Sequence, residues 1–192
     1  RDYKVTGVQT CALPISLTVF NVPKGDERLL SSNSILNVKE YEWWESKSYN
    51  GATFTFTPSN HWSARGLFDR KSSLWGGWHV AYKTKSIIHI GDTAVDDVFE
   101  EFGSKLGRLD IAFLPIGSYS PREIEAEYHV DPTEAFELAK LLNANLTIGI
   151  HWGGIFFTQE PTYEPLEIIQ ELNNVNPSVN FQTPLPGIVI NL

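Results

Sequence analysis

The 192 residues contain no methionine, not even at position 1, and a single cysteine, Cys11. One thiol excludes an internal disulfide framework. The missing initiator residue implies an N-terminus that is processed or absent. No apolar run approaches the roughly 20 residues needed for a helical membrane span. Basic residues are outnumbered 15 to 23, for a net charge of −8. A surface of that sign repels nucleic-acid backbone, so nucleic acid is not an expected partner. The acidity fits a protein that gathers cations and equally an ordinary solvated surface. There is no internal repeat and no low-complexity tract. What remains, 42% hydrophobic and 20% charged residues, suits one globular domain with a sizeable core.

The first sixteen residues, RDYKVTGVQTCALPIS, have neither strand alternation nor a helical stripe. They also lack the basic and apolar regions of a signal peptide. They resemble the in-frame translation of a sequencing adapter. Residues 1–16 are therefore expected to be a disordered artefact, and residues 17–192 a partial domain whose upstream part is cut off at Ser16-Leu17.

From Leu17 onward, turn signals sit at Pro23-Lys24-Gly25-Asp26 and Ser31-Ser32-Asn33-Ser34. Leu36 to Trp44 is rich in strand formers, and Ala52 to Thr57 alternates aromatic with threonine until Pro58 stops it. Leu74 to Tyr82 and Ser86 to Ile90 read as a strand pair joined by Lys83-Thr84-Lys85. Val95, Val98, Phe99, Phe102 and Leu106 have helical spacing. Asp110 to Leu114 and Leu146 to Ile150 read as buried strands. Between them Asp131 to Leu142 is the clearest helix, with an N-cap at Asp131, Pro132 at the first position and Glu134 three residues after the cap. Pro165 to Leu172 predicts a helix and Gly187 to Ile190 a closing strand. Strands and helices alternate from residue 86, which predicts a layered α/β fold.

Three metal-capable side chains each follow a predicted strand: His61 after ATFTFT, Asp92 after IIHIG and His151 after LTIGI. Sites in layered α/β folds gather at the carboxyl ends of strands, and imidazole and carboxylate are usual ligands for zinc. A lone histidine at a strand end is more often a packing or surface residue. Three such positions leave both readings open on spacing alone.

TPSNHW, IGDT, LPIGSYSPR, YHVDPTEA and IHWGGIF occur in that order, together with EYEWWES and LWGGW. The set resembles the C-terminal half of the N-acylphosphatidylethanolamine phospholipase D branch of the metallo-β-lactamase superfamily, over about residues 17–192. The resemblance implies the C-terminal part of an αββα sandwich and a site for two Zn2+ ions. It implies His61 as a ligand of the first zinc, Asp92 as the carboxylate bridging both and His151 as the last ligand of the second. Asp92 and His129 then count as catalytic, His129 in a supporting role near the substrate. Two bridged metals lower the pKa of a shared water, and the resulting hydroxide attacks a phosphodiester, releasing N-acylethanolamine and phosphatidic acid. The implied setting is a phospholipid or other phosphodiester substrate, peripheral membrane contact, a homodimer and a cytoplasmic location. The alternatives are another hydrolase of the fold, such as a sugar-phosphate lactonase, or a non-catalytic scaffold domain.

The departures weigh as much as the matches. The family's His-x-His-x-Asp-His motif is absent: the histidines are His61, His79, His89, His129 and His151, and no two lie two apart. The metal site is therefore expected to be incomplete, and the chain by itself inactive. Ala94 stands after GDT where glycine is usual, and Gly154 where threonine is usual. His79 and His89 match no ligand position and are expected to be surface or core-packing residues. Trp43, Trp44 and Trp75 are expected in the core, and Trp62 and Trp152 beside the site.

Overall fold

The computed structural model describes residues 18–154 and 158–190. The expectation for residues 1–16, Cys11 included, lies outside the described residues. Strands β1 (Phe20–Pro23) and β2 (Val38–Tyr41) form a parallel two-stranded ribbon, with α1 (Glu27–Ser31) between them in the chain. A seven-stranded sheet follows in chain order: β3 (Ser46–Tyr49), β4 (Ala52–Thr57), β5 (Gly77–Tyr82), β6 (Lys85–His89), β7 (Ile111–Pro115), β8 (Leu146–Ile150) and β9 (Phe181–Gln182).

The sheet has two characters. Pairs from β3 to β6 are antiparallel, and pairs from β6 to β9 are parallel. Lys83-Thr84 closes β5 onto β6 in a two-residue turn, Tyr82 pairing with Lys85 and Lys83 at φ 53°. Parallel neighbours cannot be joined that tightly and need crossovers. Those crossovers carry α2 (Phe102–Leu106), α3 (Arg122–Glu125), α4 (Pro132–Leu142) and α5 (Glu164–Val175).

Residues of α2, α4 and α5 pack on one face of the parallel half. Phe102, Phe136, Leu138, Ala139 and Ile169 meet Ile88, Ala112 and Leu114 in a single buried cluster. The opposite face carries a smaller cluster of Ile111, Leu146 and Ile148, flanked by Ile87, Phe113, Ile150 and Ile190. Among the described residues this is a helical layer over one large sheet, the α/β fold expected.

The cap of α4 is built as its sequence predicts. Asp131 accepts from the Glu134 N–H, and the Glu134 carboxylate accepts from the Asp131 N–H, both at 2.9 Å. Elsewhere the structure corrects the reading. The stretch predicted as one helix over Val95 to Leu106 begins as a 3-10 turn at Asp97–Glu101. The Asp96 carboxylate accepts from Val98 N–H and fixes the start there, leaving Val95 outside and exposed. The closing strand is Phe181–Gln182, not Gly187 to Ile190: Phe181 is buried against Phe136, whereas Ile188 and Val189 are exposed. Trp44 packs on the core through Phe102, and Trp75 is half-buried. Trp43 lies outside the core, edge-on to Trp75, its indole N–H donating to the Trp75 carbonyl at 2.7 Å.

Candidate functional site

Strand direction decides where the chemistry can collect. Since β4 is antiparallel to β5 and β5 to β6, β4 runs with β6, and β7 and β8 run with it too. The loops after β4, β6, β7 and β8 therefore leave from the same end of the sheet. His61, Asp92 and His151 lie in those loops, and His129 lies between α3 and α4 in the β7–β8 crossover.

Backbone hydrogen bonds tie these loops to one another. Asn60 N–H donates to Thr93 Oγ1 at 2.9 Å, and Ala94 N–H donates back to the Asn60 carbonyl at 2.9 Å, so the segments bearing His61 and Asp92 are bridged. Val130 N–H donates to the Thr93 carbonyl at 2.8 Å, which brings His129 to the same place. Ile116 N–H donates to the Ile150 carbonyl at 3.0 Å. Gly117 passes so close to His151 that a Cβ there would sit 2.2 Å from the His151 carbonyl oxygen. His151 itself has φ 60°, a left-handed conformation that is uncommon for residues other than glycine and recurs where a site demands it.

The rings of His61 and His129 lie 5.2 Å apart between centroids, and those of His129 and His151 5.5 Å apart. His151 Nε2 stands 3.4 Å from Asp92 Oδ1. His129, expected only in a supporting role, thus sits between the other two histidines. His61 Nδ1 lies 3.0 Å from the Trp62 carbonyl; a carbonyl only accepts, so Nδ1 carries a proton, and Nε2 is the nitrogen directed away from that bond. Trp62 stacks beside His61, and Trp152 packs against the core next to His151, as expected.

His129 is largely enclosed, and its Nδ1 is buried with no partner. Burial, followed by the nearby His61 and His151, pushes its pKa down to about 4. The ring is neutral at pH 7, able to accept or donate a hydrogen bond without bringing a charge. Arg122 holds it from behind: Nη1 donates to the His129 carbonyl at 2.7 Å, while Nη2 reaches both oxygens of Glu134 at 2.8 and 2.9 Å.

Sequence reasoning quoted Arg122 within LPIGSYSPR without giving it a role. It missed Glu160 altogether. That carboxylate accepts from Ser118 N–H at 2.6 Å, Thr158 Oγ at 2.8 Å and Ser120 N–H at 3.2 Å. It pins the loop after β7 to the loop that follows His151. An isolated glutamate beyond a strand carries no local signal. His79 is buried with Nε2 on Ser86 Oγ at 2.8 Å, as packing requires. His89 is exposed on β6, its Nδ1 accepting from Gly91 N–H at 3.1 Å.

The donor types suit zinc, but the assembly does not. Among the described residues no group of three or more His, Cys, Asp or Glu side chains could hold a metal ion. The residues present do not fit a metal by themselves.

The chain matches the beta-lactamase superfamily domain over residues 14–152, a span beginning inside the stretch expected to be foreign. It is 41% identical over 141 residues to N-acyl-phosphatidylethanolamine-hydrolyzing phospholipase D 1 of Caenorhabditis elegans, covering 70% of this chain and 40% of that protein. It is 34% identical over 158 residues to the mitochondrial N-acyl-phosphatidylethanolamine-hydrolyzing phospholipase D of Saccharomyces cerevisiae, covering 79% and 34%. The chain therefore spans well under half the length of these two relatives. In structure it is similar to a metallo hydrolase from the archaeon Ignicoccus hospitalis, with a TM-score of 0.69 at 17% identity over 90% of this chain and 68% of that one. It is likewise similar to an isothiocyanate hydrolase from Delia radicum gut bacteria, with a TM-score of 0.71 at 14% identity over 97% and 71%. At such identities these two structures speak for the fold alone.

Proposed function

The chain belongs to the beta-lactamase superfamily, and from that premise we propose that the whole protein is a zinc-dependent phosphodiesterase of the N-acylphosphatidylethanolamine phospholipase D type. The observation that carries the reading is the meeting of His61, Asp92, His129 and His151 at one end of the sheet, with His151 Nε2 3.4 Å from Asp92 Oδ1. The two phospholipase D relatives support the substrate class. In this reading His61 and His151 would each offer one imidazole nitrogen and Asp92 a carboxylate to zinc, which would supply Lewis-acid chemistry there. The remaining ligands come from a His-x-His-x-Asp-His segment that these 192 residues do not contain.

The chain's own residues do the positioning. His129, neutral and backed by Arg122, hydrogen-bonds a substrate oxygen. Glu160 and Arg122 fix the loops so that the site need not reorganise when substrate arrives. A phospholipid substrate also entails peripheral membrane contact. No helix among the described residues is long and apolar enough to cross a membrane.

Two measurements test the reading. The full-length protein is expected to hydrolyse N-acylphosphatidylethanolamine and to lose roughly three orders of magnitude of rate on Asp92→Asn or His151→Ala. The 192-residue chain alone is expected to retain no zinc through gel filtration and to show no turnover. Two tightly held zinc ions in that chain would overturn the ligand assignment, and wild-type rates in both variants would overturn the reading as a whole.

A further inference from the structure

Immediately after His61 and Trp62 the chain makes an excursion, Ser63-Ala64-Arg65-Gly66-Leu67-Phe68-Asp69-Arg70-Lys71, before returning at Ser72 to Leu74. Its base is pinned shut. Ser63 Oγ donates to the Ser73 carbonyl at 2.5 Å, and Lys71 N–H donates to the Ser63 carbonyl at 2.7 Å. Its upper turn is organised by Asp69, whose Oδ1 accepts from Arg65 N–H at 3.0 Å and Gly66 N–H at 2.8 Å. With its only acid so engaged, the turn pushes two consecutive large apolar side chains outward. Leu67 is 92% exposed and Phe68 100% exposed. Single exposed apolar residues are ordinary, but two adjacent ones held clear of the body by a hydrogen-bonded turn are not explained by packing.

The flanks carry the opposite sign to the rest of the protein. Three cations, Arg65, Arg70 and Lys71, stand against the one acid Asp69, in a chain whose net charge is −8. Two of them are laid on aromatic faces: the Arg70 guanidinium is 4.8 Å from the Trp62 ring centre, and Lys71 Nζ is 5.8 Å from that of Trp75. An apolar tip above a ring of cations and tryptophans has the layering of a lipid interface, with hydrocarbon outermost and then headgroups. Next to the loop lies a cleft of about 870 Å³ lined by Arg28, Leu29, Trp62, Arg65 and Leu74 among others.

We propose that the 63–73 loop is an interfacial anchor, Leu67 and Phe68 entering the acyl layer of an anionic phospholipid bilayer while Arg65, Arg70 and Lys71 meet its headgroups. The proposal rests on the reading of the substrate as a phospholipid and says how the protein is held over it. Because the loop begins at His61, the membrane surface is set against the candidate site, and a lipid headgroup has only a short path to it.

The test is co-sedimentation of the 192-residue chain with large vesicles of phosphatidylcholine containing about 30% phosphatidylserine. Wild type is expected to bind these more tightly than vesicles of pure phosphatidylcholine. Leu67→Ser/Phe68→Ser is expected to weaken binding roughly tenfold or more with an unchanged melting curve, since neither side chain is packed. In a Cys11→Ser background, Phe68→Cys labelled with an environment-sensitive dye is expected to shift its emission to the blue on adding vesicles. Equal binding by wild type and the double variant, or an unshifted dye, overturns the proposal. So does a change from dimer to monomer in the double variant with vesicle binding unaltered, which would make the tip a contact between two copies. Binding needs no turnover, so the two readings fail separately. Tight, loop-dependent binding by a full-length protein that hydrolyses no phospholipid supports the anchor and removes the phosphodiesterase; lipid hydrolysis with loop-independent binding does the reverse.

Discussion

The two halves of the seven-stranded sheet are built to different rules. In the parallel half, β7 and β8 are apolar runs, IAFLP and LTIGI, buried at most positions on both faces. In the antiparallel half, β5 alternates buried with half-buried positions and β3 at the edge is nearly bare, while β4 between them is buried only in its last three residues. The contrast follows from connectivity. Crossovers lay helices over parallel strands, whereas hairpins bring no cover of their own. Strand β6 belongs to both halves, and the residue it delivers is Asp92. His61 comes from the antiparallel side and His151 from the parallel side, so the candidate site is a seam.

The sharpest way to break the comparison is to empty the core of one half. Phe136 on α4 is fully buried and stacks on Phe181 with centroids 5.9 Å apart. Phe136→Ala should cost about 3–5 kcal/mol in urea denaturation. Tyr49→Ala on β3, where the side chain is 46% exposed, should cost less than about 1 kcal/mol. Similar losses at the two positions would mean that burial does not separate the halves as described.

Acid should probe the seam and the antiparallel half separately. The pKa of His129 is about 4 in the folded state, depressed mainly by burial, and that of buried His79 is lowered for the same reason. Between those folded values and the ordinary value near 6.5, the unfolded chain binds more protons. The contribution of both rings to stability is therefore complete above about pH 6.5 and is lost as pH falls, for His129 toward about 4. For His129, whose side chain is 14% exposed, the loss should be roughly 3 kcal/mol. His129→Gln should flatten most of the slope of melting temperature against pH over that window. His79→Gln should flatten the share that belongs to β5. A slope unchanged in both variants would place the titrating group elsewhere.

Legibility in the sequence followed the range of the signal and not the division between the halves. ATFTFT and LTIGI were readable to the residue because strict alternation and a bounded apolar run are local signals. The cap of α4 was readable because Asp131, Pro132 and Glu134 act within four residues of one another. Strand β9 was not, because Phe181–Gln182 is a strand only through its pairing with β8 and the burial of Phe181, while the more apolar Gly187 to Ile190 pairs with no strand among the described residues. At the site, His61, Asp92 and His151 could be singled out as strand-end residues. That they gather at one end of the sheet, around His129, depends on the relative directions of β4, β6 and β8, which no local pattern encodes. The bracing by Glu160 was invisible for a similar reason, since it joins residues 42 apart in the chain, and that by Arg122 because its reach to His129 and Glu134 depends on how the chain turns between α3 and α4.

The smallest effect tests whether the cover of the parallel half and the site are mechanically one piece. Asp131 caps α4, lies 3.9 Å from Arg122 Nε and sits two residues after His129. Asp131→Ala removes the acceptor for the Glu134 N–H and should cost about 1 kcal/mol, whereas Asp131→Asn, which can still accept that bond, should cost a few tenths. If the cap served only the helix, turnover in the full-length protein would follow stability and be indistinguishable from wild type well below the melting temperature. The geometry argues otherwise. Arg122 divides its donors between the His129 carbonyl and Glu134, and Glu134 is the other half of the capping box. Loosening Asp131 frees Glu134 to shift, and Arg122 shifts with it. Asp131→Ala should therefore lower the turnover number by a factor of about 3–10 at temperatures where the fold is intact, with Asp131→Asn restoring most of it. An undiminished turnover number in Asp131→Ala would show that the helix end and His129 are held independently.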